Sequence, residues 1–397
     1  MEGFPLSDEL KMICDQVRRI IEEDVIPAEA RVDPDAPEIA QEDYDRISAK
    51  VKKAGLWHLG TPTKYGGGGL NTFEMAVVRE VMSQHRMGLY NTGCGVFGRP
   101  IPPSIWAGTE EQIEKYALPS IEKGWHHFFA ITEPSGGSDP AGAIRTRAER
   151  KGDKYVINGS KIFISHADLA EWGVVYARTN PGAGRQGISA FIVEKGTPGF
   201  KAEPFRVIRT SSVPNVVTFE DCEVPAANLI GAEGQGLGLA FDLLVKNRFP
   251  YSSANVGVAV AAHKRAVEYA NQRQTFGQYL ADRQAIQWML ADNEMDIRTS
   301  RFLIWDGAWK ADRGEDARVE ASMAKVYSSE ALGRVIDRVV QIHGGYGVTK
   351  EFPFERWYRE ARIRRIGEGP SEVHRMVIAR DLLRPGRERR KQMERAG

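Results

Sequence analysis

The sequence predicts an α+β protein with segregated elements: helices first, then a small and mostly antiparallel β module, then a bundle of long helices. Three observations predict it. Apolar residues recur at helical spacing through the first third of the chain. Near Trp125 the pattern changes to short alternating apolar runs separated by Pro, Gly and Asn. From Gly238 onward long Ala- and Val-rich windows return to helix. The alternating strand–helix order of a nicotinamide-binding fold is missing.

In chain order, Leu10, Ile13, Val17, Ile20, Ile21 and Val25 form one apolar stripe, and Ser7 with Asp8 and Glu9 marks its start. A second helix is expected over residues 38–53, stopping before Gly55. Gly66 to Gly69 make a loop, and Thr72 is expected to cap a helix over residues 73–83. Thr109-Glu110-Glu111 opens another helix through Tyr116. In the β module, Asn158-Gly159 within Tyr155–Ser165 predicts a hairpin. Val174–Tyr176, Ile188–Val193 and Val216–Phe219 are further strands. Gly234-x-Gly236-x-Gly238 lacks the spacing and the βαβ setting of a dinucleotide fingerprint and reads as a flexible connector. Helices follow over residues 239–272, 284–311, 319–342 and 371–383, the third ending at Gly344-Gly345. The tail from Arg384 reads as a charged, solvated or frayed end. Domain boundaries are expected at 1–124, 125–236 and 237–397.

Composition excludes several classes. With 54 basic and 53 acidic residues the net charge is +1, which argues against nucleic acid or an anionic membrane as the main partner. No apolar run approaches the ~20 residues of a membrane span, and no signal or transit peptide is visible. The three scattered cysteines fit reduced thiols in a cytoplasmic protein, or a matrix protein whose transit peptide lies outside this chain. No Cys-x-x-Cys or His-Glu-x-x-His occurs, and His126-His127 reads as a surface or strand-edge pair rather than as metal ligands.

One stretch carries chemistry. Phe128–Pro140 reads FFAITEPSGGSDP: a buried strand, then hydroxyls beside glycines that let a backbone approach a flat, hydrogen-bonding ligand. Read alone, it is also an ordinary strand and turn. Together with YVINGSKIFIS, VVYARTN, Lys246-Asn247-Arg248, Arg273-Gln274-Thr275-Phe276-Gly277, Gln341–Gly347 and Ile366–Glu372, in that order, it resembles the acyl-CoA dehydrogenase family over nearly the whole chain.

The resemblance implies an N-terminal helical domain, a central β-barrel-like domain and a C-terminal four-helix bundle. It implies FAD, a homotetramer built as a dimer of dimers, and an electron-transfer flavoprotein as acceptor. It implies α,β-dehydrogenation of an acyl-CoA, the α proton leaving to a carboxylate and the β hydride to flavin N5. Glu368, between Gly367 and Gly369, matches the family's base, and its amide N–H is implied to bond the thioester carbonyl. Alone it is equally a helix-start glutamate, and Glu372 is the competing carboxylate. Some members place the base one residue before the arginine of the long helix; here that position is Asn247, which takes no proton.

By the same resemblance, Phe129, Ile131, Thr132, Gly137, Ser138, Phe163 and Ser165 line the flavin, with Ser138 at the substrate boundary. Arg273, Phe276 and Gln284 reach FAD from an adjacent subunit, and Gln341, Gly344, Gly345 and Glu372 complete its surroundings. Ser138, Asn247, Arg248 and Gly367 are implied to meet substrate, although Arg248 is equally read as a salt bridge to Asp242. Val245 replaces a commoner acidic residue, Pro370 a commoner threonine, and Gly367 a commoner tyrosine, which hints at extra room beside the base. Arg86 and Arg99 could meet a carboxylated acyl group, or simply form structural pairs. A flavin oxidase or monooxygenase of the same fold, and a non-catalytic scaffold, are the alternative functions.

Overall fold

Ser7 starts the first helix as its residue type predicts, its hydroxyl oxygen accepting from Leu10 N at 3.1 Å. The computed structural model describes residue 4 and residues 6–396, without the side chains of 242 and 387–396. The first helix runs Asp8–Ile20, then a π turn over Ile21–Val25, then Ile26–Ala30. The second is Gln41–Lys53. In the third, Thr72–Met82, Asn71 rather than Thr72 is the cap: it closes a capping box with Glu74, whose carboxylate reaches back to the Asn71 amide. Thr109 caps as expected, with Gln112 closing its box.

The chain divides into two compact units. One takes the chain up to Ala30, Asn71–Gly93 and the chain from Val245; the other takes Arg31–Leu70 and Cys94–Leu244.

The second unit is built on a sheet of eight strands. They are β1 (His127–Ala130), β2 (Arg147–Lys151), β3 (Lys154–Ser165), β4 (Trp172–Arg178), β5 (Ile188–Glu194), β6 (Phe200–Pro204), β7 (Pro214–Pro225) and β8 (Leu229–Ile230). Their order is β6-β7-β3-β2-β4-β5-β8, with β1 added in parallel to β4. Both faces are buried, so β4 and β5 read as continuous apolar runs. Trp172, Val174, Tyr176, Ala190 and Ile192 pack on one face against Ile105, Ile113, Tyr116 and Ile121. Val175, Ala177, Phe191 and Val193 pack on the other with Phe128, Tyr155 and Phe219.

Asn158-Gly159 is not a hairpin turn. β3 passes through it without reversing, and the turn lies earlier, at Gly152-Asp153 between β2 and β3. Gly159, at φ 145°, instead sits at a register shift against β7, and a Cβ there would lie 2.6 Å from Thr146 Oγ1. Asn158 is spent across the sheet, donating to Asp221 Oδ1 at 3.1 Å and accepting from Asp221 N at 2.8 Å. Nor is Gly234–Gly238 a flexible connector. The long helix already begins at Gly236, where a Cβ would lie 2.6 Å from the Ser189 backbone, so glycine serves close approach to β5.

The first unit is helical: Gly236–Gln272 (from Val245 onward), Gln284–Asp312, Arg318–His343, Phe354–Arg364 and Ser371–Ala396 pack with the Asp8–Ile20 and Thr72–Met82 helices. Gly257 permits a close approach of two helices, since its Cβ would meet Glu80 O at 2.1 Å. Glu80 takes a bidentate pair from Arg301, with Nη2 at 2.6 Å and Nε at 3.0 Å. Asp296 accepts from Arg334 and, at 2.9 Å, from Arg338 Nη1, joining two long helices. The last helix continues to Ala396 past Pro385, so the expected frayed tail keeps a helical backbone. All three cysteines are buried, and among the described residues they form no disulfide.

Four histidines of the second unit resist protonation. Burial pushes His58 and His166 down to about 4 and His126 and His127 down to about 3, and the Arg99 charge adds to this at the last three. Unfolded, each would titrate near ~6.5. As pH falls from there toward 4, the unfolded chain binds protons that the folded one does not, and stability drops by about 1.4 kcal/mol per histidine per pH unit. Denaturant titrations at pH 7 and 5 should show this loss, and His126→Gln should reduce it by about one proton's share. An unaltered pH slope in that variant would show that His126 titrates normally.

Candidate active site

The expected residues fall in both units, and each unit holds a distinct set. In the second, β1 brings Phe129 against Tyr176, ring centroids 5.0 Å apart, and ends at Ala130. Ile131 and Thr132 follow, half-buried, the Thr132 carbonyl accepting from Ile162 N at 3.0 Å. Next comes Glu133, whose carboxylate turns inward. It accepts from Thr146 N at 3.0 Å, Arg145 N at 2.6 Å and Lys161 Nζ at 2.8 Å, and Lys161 has no exposed surface. Burial works to raise the Glu133 pKa, but the Lys161 charge and these donors outweigh it and hold the group below its ordinary value. Lys161 Nζ also donates to Ile131 O at 3.3 Å. This buried pair, which the sequence reading did not single out, thus fixes the backbone at Ile131, Arg145 and Thr146.

Beyond Glu133, Gly137 and Ser138 are exposed, and a Cβ at Gly137 would lie 3.0 Å from Thr132 Cγ2. Phe163 stands at φ 61° where β3 slips register against β7; it is 58% exposed while Ile164 is buried. A bulky residue held left-handed with its ring in solvent is strained without local return, which suits a surface that receives a ligand. Ser165 Oγ is already engaged, accepting from Arg209 Nη2 at 2.8 Å. Arg99 donates to Gly124 O at 3.2 Å and pairs with Glu38 at 3.4 Å, a structural role. Glu38, His126 and His166 bring ligand-type atoms within 4.8 Å of one another, but the same Arg99 charge opposes a cation there.

In the helical unit, Glu368 lies in the turn between the Phe354–Arg364 and Ser371–Ala396 helices, at φ 58°. Ile366 N and Gly367 N both donate to Ile363 O, at 2.8 and 3.0 Å, and Ser371 N donates to Arg365 O at 3.0 Å. Among the described residues no backbone acceptor takes the Glu368 N–H. Arg248 is close enough for its charge and that of Glu368 to act on each other; burial lowers the Arg248 pKa and Glu368 partly restores it. Arg248 Nε is buried without an acceptor among the described residues, and the Asp242 side chain of the expected salt bridge lies outside them. The extra room expected beside Gly367 is bounded by Tyr251, whose hydroxyl would lie 3.3 Å from a Cβ there. Asn247 and Glu372 are both exposed, Glu372 in the first turn of its helix. Arg86 donates to Glu29 from its backbone N, at 3.0 Å, and from its guanidinium, again a structural use.

The same unit holds a cleft of about 450 Å³ lined by Tyr269, Arg273, Thr275, Ile342, Gly344 and Gly345. Cβ atoms at Gly344 and Gly345 would meet nothing within 4 Å, so the floor is open. Gly344 at φ 59° also ends the Arg318–His343 helix, as expected. Beside it, Gln274–Thr275 and Gln278–Tyr279 pair as a ribbon whose two-residue turn is Phe276-Gly277. Phe276 stands at φ 51° and is 98% exposed. A guanidinium, an aromatic ring and bare glycine backbone in one cleft suit a pyrophosphate with a nucleoside. Gln284 and Gln341 are exposed, and neither lines this cleft.

A helical, then β, then helical chain bearing a nucleotide-type cleft and a glycine-flanked carboxylate has the form of a flavin-dependent oxidoreductase. Residues 7–124, 128–222 and 234–383 match the N-terminal, middle and C-terminal domains of acyl-CoA dehydrogenase. An acyl-CoA dehydrogenase of Bacillus subtilis is 37% identical over 95% of this chain and 99% of its own. The caffeyl-CoA reductase–Etf complex subunit CarC of Acetobacterium woodii is 35% identical over 95% of this chain and 99% of its own. The solved butyryl-CoA dehydrogenase of Megasphaera elsdenii, 32% identical, superposes with a TM-score of 0.86 over 96% of this chain and 100% of its own. The chain belongs to the acyl-CoA dehydrogenase family. It is an oxidoreductase of that kind, and the family's cofactor is FAD.

Lys161→Ala should leave Glu133 as an uncompensated buried charge and cost about 3–5 kcal/mol. Urea unfolding measures it; a loss under about 1 kcal/mol would mean the pair contributes little.

Proposed function

We propose that the protein catalyses α,β-dehydrogenation of an acyl-CoA thioester, with Glu368 as the base. One observation carries this: a glutamate held left-handed between two glycines, half-buried, whose own N–H meets no backbone acceptor among the described residues. The carboxylate removes the α proton, and that N–H donates to the thioester carbonyl, stabilising the enolate that forms. FAD, when bound, supplies the acceptor for the β hydride. Arg248 keeps a positive charge near the carboxylate, and Tyr251 closes the space beside Gly367. Phe129, Ile131, Thr132, Gly137, Ser138, Phe163 and Ser165 would hold the flavin end of one FAD; Arg273, Phe276 and Gln284 would reach the pyrophosphate and adenosine of the FAD of an adjacent subunit, with Gln341, Gly344, Gly345 and Glu372 completing the cofactor's surroundings. Ser138, Asn247, Arg248 and Gly367 would border the substrate.

The electron acceptor in this reading is an electron-transfer flavoprotein; the name of the Acetobacterium woodii relative supports such an association. The assembly is a homotetramer. Trp288, Met295, Phe302 and Trp309 recur every seven residues on the Gln284–Asp312 helix, all exposed, an apolar stripe that self-association would cover. The three domains run 1–124, 125–236 and 237–397. That same relative is named a reductase, and the same groups run backward would return a proton from Glu368 to the α carbon.

Glu368→Gln should keep its FAD and lose about 10²–10⁴-fold in the rate of anaerobic flavin bleaching by acyl-CoA. Bleaching at the wild-type rate would remove Glu368 as the base. Arg273→Ala should lower FAD occupancy by about tenfold or more at limiting cofactor, a loss of about 1.5–3 kcal/mol for one charge-assisted contact. Unchanged flavin absorbance after dialysis would refute that contact. Bleaching under argon set against turnover in air separates a dehydrogenase from an oxidase or monooxygenase, and a colourless protein that takes up no flavin would mean a scaffold.

A further inference from the structure

Glu368 is the strained point of its turn, and two buried polar side chains with no part in the chemistry above end on its backbone. His374, in the first turns of the Ser371–Ala396 helix, is 2% exposed. Its Nε2 lies 3.0 Å from the Glu368 carbonyl oxygen, and since a carbonyl only accepts, Nε2 carries the hydrogen. Lys325, on the Arg318–His343 helix and fully buried, donates from Nζ to the Gly369 carbonyl at 2.6 Å. Two helices thus each give one donor to two successive carbonyls. Gly369, at φ 91°, fits the grip closely: a Cβ there would lie 2.9 Å from His374 Nε2.

Neither side chain is placed cheaply. Burial pushes His374 down to about 4, with Arg248 adding to the effect, so the imidazole is neutral and Nδ1 is an acceptor. Its neighbour at 3.1 Å is Ser322 Oγ, whose single hydrogen must serve either Nδ1 or the Arg318 carbonyl at 2.9 Å. Burial also pushes Lys325 down to about 8; Arg364 and Arg248 lower it further, and Glu368 and Glu372 oppose them. Among the described residues Lys325 has no ion-pair partner, so its principal bond is to the backbone of this turn. A buried amine costs several kcal/mol unless it is well bonded, and strained backbone persists only where its surroundings over-determine it.

We propose that His374 and Lys325 are positioning residues: a two-point clamp on the Glu368 and Gly369 carbonyls that holds the left-handed backbone and so sets where the Glu368 carboxylate and N–H point. This rests on Glu368 being the base. Both side chains end on backbone carbonyls and neither is among the residues proposed to border substrate or cofactor, so loss of the clamp should slow proton abstraction without weakening binding.

The test follows anaerobic flavin reduction by the acyl-CoA that bleaches the wild-type enzyme fastest, together with that ligand's Kd. It also follows solvent-deuterium exchange into the methyl group of acetyl-CoA, which has no β carbon and reports proton abstraction alone. His374→Ala and Lys325→Met should slow both rates by about 10–100-fold, the scale of a small misplacement of a reacting group, at full FAD content. Kd should move less than about threefold, which is under 1 kcal/mol. His374→Gln, which keeps an N–H donor, should recover most of the loss. Rates within twofold of wild type in both variants, a Kd that rises in step with the rate loss, or equal rates in His374→Ala and His374→Gln would each overturn the clamp. Should Lys325→Met fail to fold, the two His374 variants decide alone. Wild-type rates in Glu368→Gln would instead overturn the base assignment beneath it, whatever the clamp variants do.

Discussion

A glutamate at φ 58° is the constraint on which the helical unit turns. Such a backbone costs on the order of 1–3 kcal/mol for a residue with a Cβ, and the surrounding helices supply what holds it. Upstream, Arg364 anchors the end of its helix from an almost fully buried position. Its Nε donates to Asn255 Oδ1 at 2.6 Å, its Nη2 to the Tyr251 carbonyl, and its guanidinium lies 3.3 Å from the Tyr251 ring centroid. Asn255 passes the link on to Ser328 Oγ at 3.0 Å. Three helices are therefore registered against one another a few residues before Glu368, and the turn inherits that register.

The β unit solves a comparable problem with a buried charge. Its sheet is buried on both faces at β4 and β5, and just past β1, which pairs with β4, the chain turns one carboxylate inward that needs partners of its own. Glu133 takes two backbone amides and the Lys161 ammonium, and Lys161 spends a further hydrogen on Ile131 O. An apolar pair would fill that space at less electrostatic cost. It would not pin the carbonyl of Ile131 or the amides of Arg145 and Thr146 in one arrangement, which the flavin contact proposed for this segment would require.

Local chemistry was legible in the sequence and long-range chemistry was not. Ser7 and Thr109 could be read as caps because a cap bonds only three residues away. Asn71 and Thr72 are both able to cap, and only the reach of Glu74 back to Asn71 decides between them. Asn158-Gly159 has the chemistry of a turn, but pairing with β7 on both sides of it outweighs that preference and converts it to a bulge. The glycines around Glu368 and the Arg273 segment were readable as motifs. The partners that give them geometry were not: Lys325 meets Gly369 from 44 residues away, and a lysine among alanines and serines on a helix shows nothing of its burial. His374 was closer, six residues from Glu368, yet its role depends on a turn whose left-handed form no spacing announces.

For the reaction proposed above, the two carboxylates of this segment are distinguished by their backbones. Glu372 lies in the first turn of a long helix and is exposed to solvent, away from any enclosed volume. Glu368 stands outside the helix, half-buried, with its backbone carbonyl turned to His374 and its N–H meeting no backbone acceptor among the described residues. A base that must take a weakly acidic proton needs limited solvation, and the carbonyl it activates needs a donor at hand. One residue offers both only if its backbone is bent so that amide and side chain serve the same small volume, and the left-handed conformation is the bend that this turn imposes.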